Sequence, residues 1–164
     1  MSYELRRKRA HTMVARLCLP RPLTAELLHQ HMESVRGKKI VVQSATPRML
    51  EVGVCGLWIA VAGESFERIH HAPTTSLVHR QQFINHEFGH MILNQEQELL
   101  SAERVALLAP LIPMDAIVYA LSRSQFTDEQ EALAEAIGDR LALIILADAP
   151  EAAHGTQTGF GRVL

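Results

Sequence analysis

The chain has 164 residues, 48% of them hydrophobic and 21% charged, with a formal net charge of −2. That length suffices for one domain that buries roughly two-thirds of its unfolded surface, and the composition excludes disorder, collagen-like structure and coiled coil as overall descriptions. The longest strongly apolar run, the seven residues Leu141 to Ala147, falls far short of the ~20 needed to cross a bilayer, so no membrane partner is expected. A small negative charge offers no general attraction to phosphate backbones. The one basic cluster, Arg6, Arg7, Lys8 and Arg9, reads as a solvated helix start, so no direct nucleic-acid contact is expected. Arg16 breaks the apolar stretch that follows before it forms a secretory core, which points to the cytoplasm. Cys18 and Cys55 lack a CxxC spacing and read as buried free thiols.

In chain order, Tyr3 to Leu19 suits a helix closed off by Pro20 and Pro22, since proline lacks the donor a helix interior needs. A second helix starts at Thr24, a capping residue, and runs with Leu27, Leu28, Met32 and Val35 at helical spacing until Gly37. Ile40 to Val42, then Val52 to Val61, are β-rich and separated by Pro47 and glycines; a third extended piece covers Phe66 to His71 and ends before Pro73. Beyond it the pattern is helical: Leu77 to Asn94, Ser101 to Leu108, Met114 to Ser122 and Thr127 to Leu146, with breaks at Pro110 and Pro113. Thr127 stands three residues before Gln130, the spacing of a capping box. The tail from 151 to 164 lacks apolar periodicity and is expected to be loose.

The chemistry concentrates in His86, Glu87, Phe88, Gly89 and His90, an HExxH pattern. Residues four apart on a helix project from nearly the same side, so His86 and His90 can share one metal ion, and Glu87 can reach a metal-bound water as general base. Ile84, Phe88, Met91 and Ile92 form the opposite, apolar face. A helix with surface histidines and no metal is the competing reading.

A catalytic site with two imidazoles needs a third protein donor and one open position. Glu131 and Glu135 share a face of the last helix with the small residues Ala134, Gly138 and Ala142, a stripe that lets another helix come close, and Gly89 offers matching room. Leu133, Ile137, Leu141 and Ile144 make that helix's apolar face. Glu131 is therefore read as the third ligand, and Glu135 as the carboxylate that accepts a hydrogen bond from a ligating histidine; the exchange of these two roles is the nearest alternative. Two imidazoles and a carboxylate suit Zn2+, and Mn2+ or Fe2+ equally. Of the other polar residues, one of His70 and His71 can line a cleft but not both, because neighbours on a strand face opposite sides. Tyr119, His79 and Arg123 are the available candidates for stabilising an oxyanion. A substrate peptide can be held along a free sheet edge at Cys55 to Ala62 or at Arg68 to His71.

HEFGH, followed some forty residues later by Glu131-Ala-Leu-Ala134-Glu135 and an aliphatic helix end, resembles the ImmA/IrrE family of HExxH zinc metallopeptidases, in particular its short actinobacterial-type members. Glu131 falls on that family's acidic ligand position and Ala134 on its alanine. Glu135 replaces the usual Asn or Asp, and Gly138 stands where a second alanine is common. The resemblance spans about residues 20 to 148 and implies cleavage of a peptide bond, often in a helix-turn-helix repressor, with some relatives acting as toxins of toxin–antitoxin pairs. The expectation is an α+β fold: a small, mainly antiparallel sheet of three or more strands packed on a helical, zincin-like core that carries the HExxH helix. Residues 1–150 would form this single metallopeptidase domain. Two further readings are a non-proteolytic protein that grips a regulator while retaining the metal site, and a toxin-type hydrolase whose target is not a protein.

Overall fold

A computed structural model of the chain describes residues 1–51, 56–60, 65–93 and 127–150. The fold is α+β, in the order α1 (Tyr3–Ala15), α2 (Ala25–Arg36), β1 (Lys39–Ser44), α3 (Pro47–Glu51), β2 (Gly56–Ala60), β3 (Phe66–His71), α4 (Leu77–Ile92) and α5 (Asp128–Asp148). The helices expected at 101–108 and 114–122, the tail 151–164 and Cys55 lie outside the described residues.

Local chemistry sets most of the helix ends. The Thr24 hydroxyl accepts the Leu27 N–H at 3.2 Å at the start of α2, and Gly37 closes that helix at φ +64°, where a side chain would be strained. At the start of α5 the Thr127 hydroxyl accepts the Gln130 N–H, and the Gln130 carboxamide oxygen accepts the Thr127 N–H at 2.9 Å, the reciprocal pair that the spacing predicts. Such a cap is worth about 1 kcal/mol. Two ends differ from expectation. Helix α1 stops at Ala15 rather than running to Leu19, because the chain turns through Cys18 at φ +51° before the prolines are reached. That turn leaves the Cys18 thiol exposed, not buried. Pro47, read as a breaker, instead opens the short α3, a first-turn position where its missing N–H costs nothing.

The sheet has the order β1-β3-β2 and is mixed, not mainly antiparallel. β2 and β3 form the expected antiparallel pair, with Gly56 opposite His71 and Trp58 opposite Ile69. β1, however, pairs parallel with β3, Lys39 opposite Phe66. The chain leaves β1 through α3, crosses to the far edge as β2, and β3 returns into the gap between them. β3 is thus central and cannot serve as a substrate-holding edge; β2 has β3 on one side and, among the described residues, no strand on the other.

Side chains alternate across the sheet, so Ile40, Val42, Gly56, Trp58, Glu67, Ile69 and His71 share one face by register. α4 packs against β2 and β3, α5 against α4, and α1 against α5. One apolar cluster runs from Ala10 and Val14 through Leu28, Met32, Trp58 and Ile69 to Phe88, Ile137 and Leu141. Ile84, Phe88 and Met91 on α4, and Leu133, Ile137, Leu141 and Ile144 on α5, are buried as their spacing predicts.

Two polar clamps fix distant segments. Glu67, 1% exposed, accepts the Trp58 indole N–H at 2.7 Å and the Arg36 guanidinium at 2.7 Å, with Arg36 also lying 4.9 Å over the Trp58 ring. This ties α2 to both β2 and β3. At the end of α5, Asp148 accepts the Leu23 N–H at 2.6 Å and the Arg21 guanidinium at 2.5 Å. Among the described residues no helix is long and apolar enough to cross a membrane.

Candidate metal centre

Helices α4 and α5 run antiparallel and come together through backbone rather than side chains. A Cβ placed on Gly89 would lie 2.3 Å from the carbonyl oxygen of Ala134, and one on Gly138 would lie 3.1 Å from the backbone of Asn85 and His86. The stripe of small residues therefore does what its sequence suggests: it removes the side-chain layer that normally keeps helix axes 8–10 Å apart. The first turn of α5 is brought over the two histidines of α4.

That approach gathers His86, His90 and Glu131 into a group that could hold a metal ion. The two Nε2 atoms are 3.1 Å apart, and Glu131 Oε2 lies 3.4 Å from that of His86 and 3.6 Å from that of His90. Three donors of a tetrahedral zinc ion, each at about 2.0–2.1 Å, lie about 3.3–3.4 Å from one another, so the donor set fits such an ion in both chemistry and spacing. His90 is buried, while His86 and Glu131 are only partly covered, which leaves one side of the cluster open. Hydrogen bonds from His86 and then His90 hold the Glu131 carboxyl down to about 2, against the opposing effect of its partial burial.

Glu87 sits behind this cluster and is 4% exposed. Burial pushes its carboxyl above the usual carboxylate range; the His90 and His86 imidazoles pull it back, the Glu131 charge adds to the rise, and the backbone N–H of Trp58 lowers it slightly. The carboxylate lies against β2, where a Cβ on Gly56 would come within 2.6 Å of Oε1. This carboxyl group thus packs dry against a strand, one residue along from the open cluster.

The remaining candidates are placed as follows. Glu135 is exposed and outside the three-residue group, so the structure brings Glu131 to the histidines and leaves Glu135 aside. Four residues overshoot one helical turn by about 40°, and that rotation carries Glu135 further round α5 than Glu131, away from the line of contact through Ala134 and Gly138. His70 and His71 are both buried, on opposite faces of the sheet. His71 shares the face of Gly56, and its Nδ1–H donates to the Ala72 carbonyl at 2.9 Å. His70 lies beside Gln43, and burial followed by the nearby Arg68 charge pushes its pKa down. His79 is exposed near the start of α4, and Tyr119 and Arg123 lie outside the described residues. Gly56 is the position that sequence reading treats as mere punctuation; a glycine inside a short β-rich run, with a buried acid elsewhere, is the signal it offers. In comparisons with protein-family models, curated proteins and solved structures, the chain matches none.

Proposed function

We propose that this chain is a zinc-dependent endopeptidase of the ImmA/IrrE type, built on a zincin-like core. Its substrate on this reading is a transcriptional regulator of the helix-turn-helix class, cleaved in the cytoplasm. The observation that carries the reading is the meeting of His86, His90 and Glu131 at spacings of 3.1 to 3.6 Å, with the buried Glu87 carboxylate alongside.

His86, His90 and Glu131 would hold the ion. A divalent cation held there would supply Lewis acidity towards a carbonyl oxygen and a water molecule. Glu87 takes the proton from the attacking water on its carboxylate and returns it to the leaving amine. Burial raises its pKa, which makes the carboxylate a better proton acceptor. Among the described residues no strand lies on the outer side of β2, and an extended substrate could add there, because strand addition satisfies a peptide backbone with little demand on sequence.

The test pairs metal analysis of the purified protein with co-expression of a helix-turn-helix regulator encoded beside it. Wild type is expected to carry about one equivalent of zinc and to cut the regulator, while Glu87→Gln keeps the metal and does not cut. Biological activity that survives in Glu87→Gln would favour a protein that grips the regulator without cutting it. A regulator left intact by wild type would favour a non-protein target.

A further inference from the structure

Gly56 has ordinary extended backbone geometry that any residue can adopt, so conformation does not explain a glycine there; Gly37 is the glycine with positive φ among the described residues. Glycine inside a strand is also a liability, since it packs nothing and loses more freedom on folding than other residues. What distinguishes the position is space. Its missing side chain would point from β2 towards α4, into the volume occupied by the Glu87 carboxylate, with Oε1 only 2.6 Å from where a Cβ would be.

The wall on which that carboxylate rests is stiff. Two residues along the same face, Trp58 is 1% exposed and held through its indole N–H by Glu67, which in turn is held by Arg36. β2 therefore cannot easily yield to a new side chain at position 56. Glu87 can, because its carboxylate is the far end of a flexible side chain. A methyl group at position 56 would swing that carboxylate away and leave the fold in place.

We propose that Gly56 is a positioning residue: by carrying no side chain, it seats the Glu87 carboxylate against the backbone of β2 and fixes where that base stands relative to the metal cluster. This rests on the peptidase reading for its functional consequence, though not for its geometry. Displacement of a catalytic group by about 1 Å can cost about 100-fold in rate. Gly56→Ala is accordingly expected to lower kcat by about 10- to 100-fold, with KM and zinc content unchanged. In a Glu87→Asp background, whose shorter side chain leaves room for the methyl group, adding Gly56→Ala is expected to change the residual kcat by less than about two-fold. An equal loss in both backgrounds, or a loss confined to KM, would overturn the proposal.

A second measurement does not depend on cleavage. In metal-free protein, Gly56→Ala is expected to raise Tm by about 2 °C in a Glu87→Ala chain, where the alanine gains strand propensity at no steric cost. With Glu87 present that gain should vanish or reverse. The same Tm change in both backgrounds refutes the contact. If Gly56→Ala does not fold alone, recovery of folding in the Gly56→Ala/Glu87→Ala chain supports the proposal, and failure of both overturns it. Should wild type prove to cleave nothing, the peptidase reading fails, and the Tm comparison still decides whether Gly56 seats Glu87.

Discussion

Gly89 faces Ala134 so closely that a Cβ on the glycine would stand 2.3 Å from the alanine's carbonyl oxygen. The obstacle is backbone, which cannot swing aside as a side chain tip does. In an isolated helix, Gly89→Ala would gain about 1 kcal/mol of propensity. Here α5 has to move away from α4, and overpacking of this kind costs about 1–3 kcal/mol. The expected outcome is a net fall in Tm and, on the proposed zinc reading, a loss of zinc affinity of at least about ten-fold, since the same movement draws Glu131 off the histidines. Calorimetric zinc titration beside thermal unfolding checks both.

Glu131 and Glu135 should behave very differently on substitution, although they share sequence context and charge. If the proposed zinc site is right, Glu131→Ala removes a donor and is expected to reduce zinc affinity by more than the roughly 10- to 100-fold that loss of an outer partner costs. Glu135→Ala, at an exposed position beyond the cluster, should leave zinc content within about two-fold of wild type and shift stability by no more than about 0.5 kcal/mol. A larger loss in Glu135→Ala than in Glu131→Ala would mean that the carboxylates exchange roles, and equal effects would mean that neither is the third donor.

The clamp of Glu67 on Arg36 and Trp58 carries a stability prediction. Glu67→Ala strands a partly covered guanidinium and leaves the buried indole N–H without its acceptor. Breaking a buried pair by removing one partner costs about 3–5 kcal/mol, and the partial exposure of Arg36 places the expected loss near the lower end, about 3 kcal/mol. Urea unfolding measures it.

Asp148 should make folding sensitive to acid. The Leu23 backbone N–H, and then Arg21, hold its carboxyl below the ordinary value of 3.8. A carboxyl whose folded pKa is depressed contributes stability above its unfolded pKa and loses it as pH falls through the folded value. Wild type is therefore expected to lose Tm more steeply than Asp148→Asn as the pH falls below about 4. Parallel slopes would show that this contact contributes nothing to the acid response.

Much of the candidate site's geometry was legible in the sequence because it rests on local rules. The capping residues Thr24, Gly37 and Thr127 announce their helices, HExxH places two imidazoles on one face, and the stripe of Ala134 and Gly138 opposite Gly89 foretells a close helix pair. What escaped depends on partners far away in the chain. The parallel pairing of β1 with β3 has no local signature, since the strand between them in sequence lies at the opposite edge. Glu67 drew no notice because Arg36 lies 31 residues before it. Gly56 reveals itself only once Glu87 is seen against it. Periodicity leaves Glu131 and Glu135 as alternatives because it puts both on one side of α5, whereas the structure places Glu131 alone of the two beside the histidines.

The two glycines at the α4–α5 crossing also determine how portable this donor set is. Grafting His86, His90 and Glu131 onto an unrelated helix pair would reproduce the residues without their spacing, because an ordinary pair keeps its axes about 8–10 Å apart. Counterparts of Gly89 and Gly138 would have to travel with them. The smallest transplantable unit is thus five residues on two antiparallel helices, three that could hold an ion and two that work solely by what they lack.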